Sequence, residues 1–346
     1  MKNFKYFNNS LLKEYSVLRE GETRLGEKIK FPGGAHIDLS QFLNETEASF
    51  VVYGIREFVG IKANFGRPGE THSWDVFLKT FLNIQNNKYL KGGNIAVIGC
   101  LDYEEYNEEV KTLNPENKTD LERMYQIVSE IDKEVTYLNT LIHRAGKKAV
   151  VIGGGHNNAY GNIKGLALAK GAAVNVVNFD AHTDFRSLEG RHSGNGFSYA
   201  FKEGFVNTYC AFGVHENYLN KFMIQEFREH YQNLVMFTFD EMKVRFEKDF
   251  IASINAAFKW VKTNSYGIEI DLDAIENVAS SAMSSSGFSV TEARQFVHIM
   301  AAHDNAGYLH LCEGSSSLSP APDNMLGKLL TYLATDFMKA QLAVVK

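Results

Sequence analysis

The chain of 346 residues is 45% hydrophobic and 22% charged, which is enough apolar material for a sizeable core without covalent staples. Its formal net charge of -5 leaves lysines and arginines scattered, so no basic stripe is available for nucleic acid or an anionic membrane, and a small, even cationic, ligand is easier to accommodate. Three cysteines, Cys100, Cys210 and Cys312, are widely spaced with no CxxC pair, which argues against a disulfide framework and for a reducing compartment.

The first residues, MKNFKYFNNSLLKEYSVLREGE, are broken by charge every few positions and lack the apolar core of a signal peptide. No apolar run reaches the roughly 18 residues of a membrane span. The expected location is therefore the cytoplasm. With only five prolines and no linker or repeat, residues 1–346 read as one continuous domain, with 1–49 the least informative part. Short apolar runs then follow in order: Phe50 to Ile55, Asn94 to Cys100, Lys148 to Ile152, Val174 to Phe179, Thr208 to Val214, Leu234 to Phe239, Tyr266 to Leu272 and Gly307 to Cys312. Their length, Val and Ile content and Gly, Asn or Asp borders predict buried strands. Between them, Leu121 to Arg144 and Asp323 to Ala343 show apolar residues at three- and four-residue spacing, predicting helices. Strands alternating with helices imply a three-layer α/β/α sandwich with a mostly parallel central sheet.

In such sheets ligands bind beyond the carboxyl ends of the strands, and there the polar clusters fall. VVIGGG leads into His156, VNVVNF into Asp180-Ala181-His182-Thr183-Asp184, YGIEI into Asp271-Leu272-Asp273, and YLHLC into Glu313. Side chains two apart at a strand end point the same way, so Asp180 can converge with His182, and Asp271 with Asp273, while the chain beyond curls to bring in Asp184. Four carboxylates and two imidazoles at one place would be prohibitive if buried without cations. Oxygen and imidazole donors without thiolate favour Mn²⁺, with Ni²⁺, Co²⁺ or Fe²⁺ as alternatives. Each cluster alone is also what a turn with Asx hydrogen bonds looks like. Their recurrence at three strand ends makes a metal site the sharper reading, and the lack of a GxxxxGK[ST] loop sets it apart from a phosphate-handling fold.

Taken in order, GGGHNNAYG (153–161), NFDAHTDFR (178–186), DLD (271–273) and HLCEG (310–314) resemble the motifs of the ureohydrolase superfamily, which includes arginase, agmatinase and formiminoglutamase. Upstream, Gly54-Ile55-Arg56-Glu57, Gly60-Ile61-Lys62-Ala63-Asn64 and Gly66-Arg67-Pro68-Gly69 resemble that family's first strand and glycine-rich loop, so the likeness runs from about residue 50 to the C-terminus. The resemblance implies an arginase-like fold with a binuclear manganese-type centre. One metal would be held by His156, Asp180, Asp184 and Asp271, the other by Asp180, His182, Asp271 and Asp273, with Asp180 and Asp271 bridging. It further implies chemistry at Asp184, a substrate-gripping Glu313, and His192 as a proton carrier to the leaving amine. His192 departs from the family spacing by the intervening Ser193, and Ser193 or Asn195 could instead meet the substrate. A second departure is Glu269, two residues before Asp271: either it pairs with a nearby base, or the ligand pair is Glu269/Asp271, and Asp271/Asp273 is preferred for lying nearer the strand end. The Ser-rich stretch 280–286 replaces the prolines common in relatives, which leaves one pocket wall undefined.

GGGH and Asp184-Phe185-Arg186 look most like formiminoglutamases, which hydrolyse N-formimino-L-glutamate to glutamate and formamide. Arg186 is placed to hold a substrate carboxylate; its blander role is neutralising the neighbouring carboxylates. The alternatives are an arginase- or agmatinase-type guanidino hydrolase releasing urea, a metal-free binding or regulatory homologue, and a single-zinc deacylase, which would need fewer carboxylate ligands than are present. The implied partners are a small amidine or guanidino substrate and, in assembly, further copies of the chain. The other histidines are read as structural or exposed, with His215 the one to watch as a pocket residue.

Overall fold

The computed structural model describes residues 1–33, 38–69, 73–318 and 320–344; the readings of His36 and His72 fall outside them. A nine-stranded sheet runs in the order β1-β3-β2-β4-β9-β8-β5-β6-β7. Its strands are β1 (Phe4–Tyr6), β2 (Phe50–Arg56), β3 (Ile95–Asp102), β4 (Lys148–Ile152), β5 (Val174–Phe179), β6 (Val206–Val214), β7 (Leu234–Thr238), β8 (Tyr266–Asp271) and β9 (Ala306–Cys312). All neighbours are parallel except β1, which pairs antiparallel with β3. The eight apolar runs are β2 to β9. Three half-exposed residues with no alternation long enough to read make up β1, which the sequence did not announce.

Pleating splits each strand between two cores. Phe50 and Val52, Val150 and Ile152, and Ile268 and Ile270 face one side, with the helices Ser73–Phe81, Phe250–Val261, Val290–Met300 and Asp323–Val344 packed on them. Val51 and Tyr53, Ala149 and Val151, and Val174 and Val176 face the other, under Lys118–Arg144, Asn158–Lys170 and Gly196–Lys202. That is the three-layer sandwich predicted. The long helix starts at Lys118, three residues before the predicted start, behind an Asn117 cap whose side chain accepts from Thr119 and Asp120 N–H. Among the described residues no helix is long and apolar enough to cross a membrane.

The sheet order positions the site. After β4 the chain crosses to β5, and the late strands β8 and β9 fill the gap between them. Register then aligns Ile152 with Leu311, Leu311 with Ile270 and Ile270 with Phe179 across four adjacent strands. Each strand therefore leaves the sheet at the same level, and the polar residues immediately beyond that row share one crevice.

Candidate metal centre

Beyond β4 the chain turns through Gly153 and Gly154, whose φ values of +90° and +76° a side chain would resist. The turn folds His156 back, fully buried, over the end of the sheet. Its Nδ1 lies 2.7 Å from Asp184 Oδ2, 3.1 Å from Asp271 Oδ2 and 3.4 Å from Asp180 Oδ2. One ligand-type atom from each of these four residues falls within 4.8 Å of all the others.

The two strand-end aspartates are built alike. Asp180 Oδ1 accepts the His182 backbone N–H at 2.8 Å, and Asp271 Oδ1 accepts that of Asp273 at 2.8 Å. Each therefore closes an Asx turn with one oxygen and sends the other toward His156. His182 Nδ1 stands 3.3 Å from Asp180 Oδ1, on the far side of that carboxylate from His156. Asp273 is held by the serine-rich stretch, accepting Ala282 N–H at 2.9 Å and Ser281 Oγ–H at 3.2 Å. His182 and Asp273 line the open side and lie outside the tight cluster of four. Asp184 (φ +43°) and Glu313 (φ +64°) both adopt left-handed backbone, strain that persists only where surrounding structure enforces it.

Electrostatics show that this donor set calls for positive charge. Burial first, and then Asp180, raises the Asp184 pKa, while burial, Asp273 and Asp180 drive Asp271 well up. Burial opposes charge on both imidazoles, yet Cys312 and the three carboxylates push His156 well above its usual value, and Asp180 pushes His182 up to about 10. The carboxylates thus draw protons onto their histidines. Divalent metal would offset the same charge through the same donor atoms, so the residues fit such ions.

In front of this wall lies a cavity of about 460 Å³ lined by His182, Asp184, Asp271, Asp273 and Glu313 at its acidic end and by Asn64, Arg186, Ser193 and Tyr218 among others. Glu313 Oε1 accepts the His156 backbone N–H at 2.7 Å, and burial, then Asp273, pushes its pKa up to about 8. Arg186 lies at the rim, donating from Nη1 to Asn64 Oδ1 at 3.0 Å and facing Glu189 Oε1 through Nη2 at 2.8 Å.

Two expected site residues point elsewhere. His192 is buried, with Nδ1 accepting Gly194 N–H at 3.1 Å and Nε2 at 3.0 Å from Glu189 Oε1, and it does not line the cavity. Burial, then Arg186, pushes it down to about 4, so it stays neutral. Asn195 is fully buried: its Oδ1 accepts from Arg191 and from His192 N–H, and its amide donates to Gly190 O at 2.6 Å. Both organise the loop, and the side chain it turns toward the cavity is that of Ser193, whose Oγ accepts from Asn64 Nδ2 at 3.2 Å. His215 stacks on Phe239 and is not a cavity residue. Glu269 does pair with a base: its Oε2 lies 2.6 Å from His310 Nδ1, and its Oε1 accepts Tyr308 O–H at 2.7 Å. Sequence reasoning passed over the contact roles of Asn64 and Tyr218. Asn64 sat inside a quoted motif; Tyr218, whose ring stacks 4.8 Å from that of His182, carried no signal.

Residues 61–331 match the profile of the arginase family, and the chain belongs to that family. Among curated relatives, formimidoylglutamase from Streptococcus pyogenes is 27% identical over 194 residues, 55% of this chain and 50% of the relative. The chain thus spans about half the length of the curated relatives it matches. Among solved structures, formimidoylglutamase from Bacillus subtilis superposes with a TM-score of 0.71 at 17% identity, covering 94% of each chain. The Trypanosoma cruzi formiminoglutamase N114H variant with Mn²⁺ gives 0.69 at 18% identity, covering 92% of this chain and 98% of that one. These superpositions establish the arginase-like α/β fold.

Proposed function

We propose that the chain hydrolyses the amidine C–N bond of N-formimino-L-glutamate, giving glutamate and formamide, with two divalent ions, Mn²⁺ first. The observation that carries this reading is the convergence of Asp180, Asp184 and Asp271 on His156 Nδ1, with Arg186 across the same cavity. His156, Asp180, Asp184 and Asp271 would hold one ion, and Asp180, His182, Asp271 and Asp273 the other. Asp180 and Asp271 would be common to both ions: each turns one oxygen toward His156, and the other accepts the backbone N–H of His182 or Asp273, the residues of the second set. When bound, such a pair lowers the pKa of a shared water and supplies hydroxide at neutral pH.

The protein's own groups do the rest. Glu313, aimed into the cavity, accepts N–H donors from the planar amidinium and sets its carbon toward the metals. Arg186 meets a glutamyl carboxylate at the rim. Attack of water forms a C–O bond and breaks the bond to the glutamate nitrogen, which leaves with a proton. With His192 turned away, Asp184 is our choice to carry that proton, since it faces both His156 and the cavity. The setting would be histidine breakdown in the cytoplasm.

A substrate panel tests the reading: formiminoglutamate, arginine, agmatine and guanidinobutyrate, assayed with Mn²⁺ for release of formamide or urea. Formamide from formiminoglutamate is expected to dominate. Urea from a guanidino compound would leave only the broader hydrolase, and no turnover of any of them would favour a binding homologue.

A further inference from the structure

Behind the metal wall lies a buried carboxylate that contacts neither the four clustered ligand residues' side chains nor the main cavity. Glu57, only 2% exposed, follows β2. Its Oε1 accepts Gly155 N–H at 2.8 Å, Asn158 Nδ2 at 2.6 Å and Asn157 Nδ2 at 3.3 Å, and its Oε2 accepts Gly60 N–H at 3.4 Å. One oxygen thus binds the turn that carries His156, and the other binds the start of the helix Val59–Ala63. Consecutive amides of the turn are divided between two carboxylates: Gly155 N–H goes to Glu57 behind, and His156 N–H to Glu313 in front.

The helix leads to the substrate side. It ends on Asn64, which accepts from Arg186 and donates to Ser193 at the cavity rim. Packing is tight enough to transmit position, since a Cβ at Gly60 would lie 1.9 Å from Asn157 Oδ1.

We propose that Glu57 is a positioning residue that fixes the metal-binding turn with one oxygen and, through the helix Val59–Ala63 and Asn64, the substrate rim with the other. This rests on the two-metal reading of the site. The two oxygens make the roles separable. In Glu57→Gln the amide oxygen takes the place of Oε1 and keeps the three bonds to the turn, while the NH₂ group opposes Gly60 N–H. In Glu57→Asp the charge remains but the side chain is one methylene short of the turn.

The test is Mn²⁺ titration calorimetry together with kcat and KM for both variants in the full chain. Glu57→Asp is expected to weaken Mn²⁺ binding about tenfold or more, the scale for lost outer partners of a metal ligand. Glu57→Gln is expected to keep Mn²⁺ affinity and kcat and to raise KM by about fivefold, the scale of one lost hydrogen bond. Amide hydrogen exchange over residues 153–160 should quicken in Glu57→Asp alone, a readout that needs neither metal nor substrate. Wild-type Mn²⁺ affinity and exchange in Glu57→Asp, or equal loss of affinity in both variants, would overturn the proposal. A wild-type chain that takes up no Mn²⁺ would sink the two-metal reading, and the exchange rates would still decide the role of Glu57.

Discussion

The back wall of the cavity and its rim are built by different means. At the wall, His156, Asp180, Asp184 and Asp271 are delivered by parallel strands that end in register, and backbone turns lock the carboxylates. At the rim, Arg186, Asn64 and Ser193 are held by one another and by Glu189, through single side-chain hydrogen bonds on loops. A wall fixed by the sheet tolerates little change. A rim fixed by loops can change substrate while the chemistry stays.

The largest expected effects lie at the wall. Asp180→Ala or Asp271→Ala removes a carboxylate shared by both proposed ion sites, so bound metal and turnover should both disappear, as read by metal analysis and product release. A variant that keeps two ions and full activity would break the contrast. Glu313→Gln, between wall and rim, should keep the ions but lower kcat/KM by about ten- to a hundredfold, because a neutral amide cannot match a carboxylate's bonds to a cationic substrate.

Rim changes should be smaller and selective. Arg186→Ala is expected to cut kcat/KM for formiminoglutamate about tenfold, the scale of a lost charged hydrogen bond, while any agmatine turnover stays or rises. Equal losses for every substrate would assign Arg186 to the wall's charge balance instead. His192→Asn should leave kcat nearly unchanged and lower Tm by about 1–2 °C, as for loss of about 1 kcal/mol of buried hydrogen bonding in a chain of this length. A collapse of kcat with unchanged Tm would restore His192 as a proton carrier.

Proton affinity differs in sign between the wall groups, which shift upward, and His192 beside the rim, which is pushed down to about 4. Burial and neighbouring acids raise Asp184, Asp271 and Glu313, and the acids around His156 and His182 outweigh burial and raise those imidazoles. His182, pushed up to about 10, holds a proton at neutral pH that an incoming cation must displace. Mn²⁺ binding should therefore release protons, and its affinity should climb as pH rises through the neutral range, because the ligand His182 titrates at about 10. Calorimetry in buffers of different ionisation enthalpy measures this, and buffer-independent heats would contradict it.

The same contrast explains what was legible in the sequence. Eight strands and the strand-end polar clusters could be read because a buried parallel strand is a short apolar run and its exit is marked by polarity. Glu269 was resolved by the sheet as well: it lies on β8 beside His310 in β9, so its partner is a register neighbour. The rim was harder. His192 has the right residue type near the right place, but its direction is set by Glu189 and by the Gly194 N–H, contacts with no periodic signature. Asn195 was drawn inward by Arg191, which is itself paired with Asp132 on the helix Lys118–Arg144, a partner 59 residues away in sequence. The short strand β1 was missed because three residues carry no pattern.

The most direct test of the wall is the metal content of the purified chain after Mn²⁺ loading and desalting, measured by atomic emission beside Asp180→Ala. Two ions per chain in the wild type and none in the variant are expected. Hydrolysis persisting in a chelated chain verified to hold no metal would contradict the two-metal centre outright.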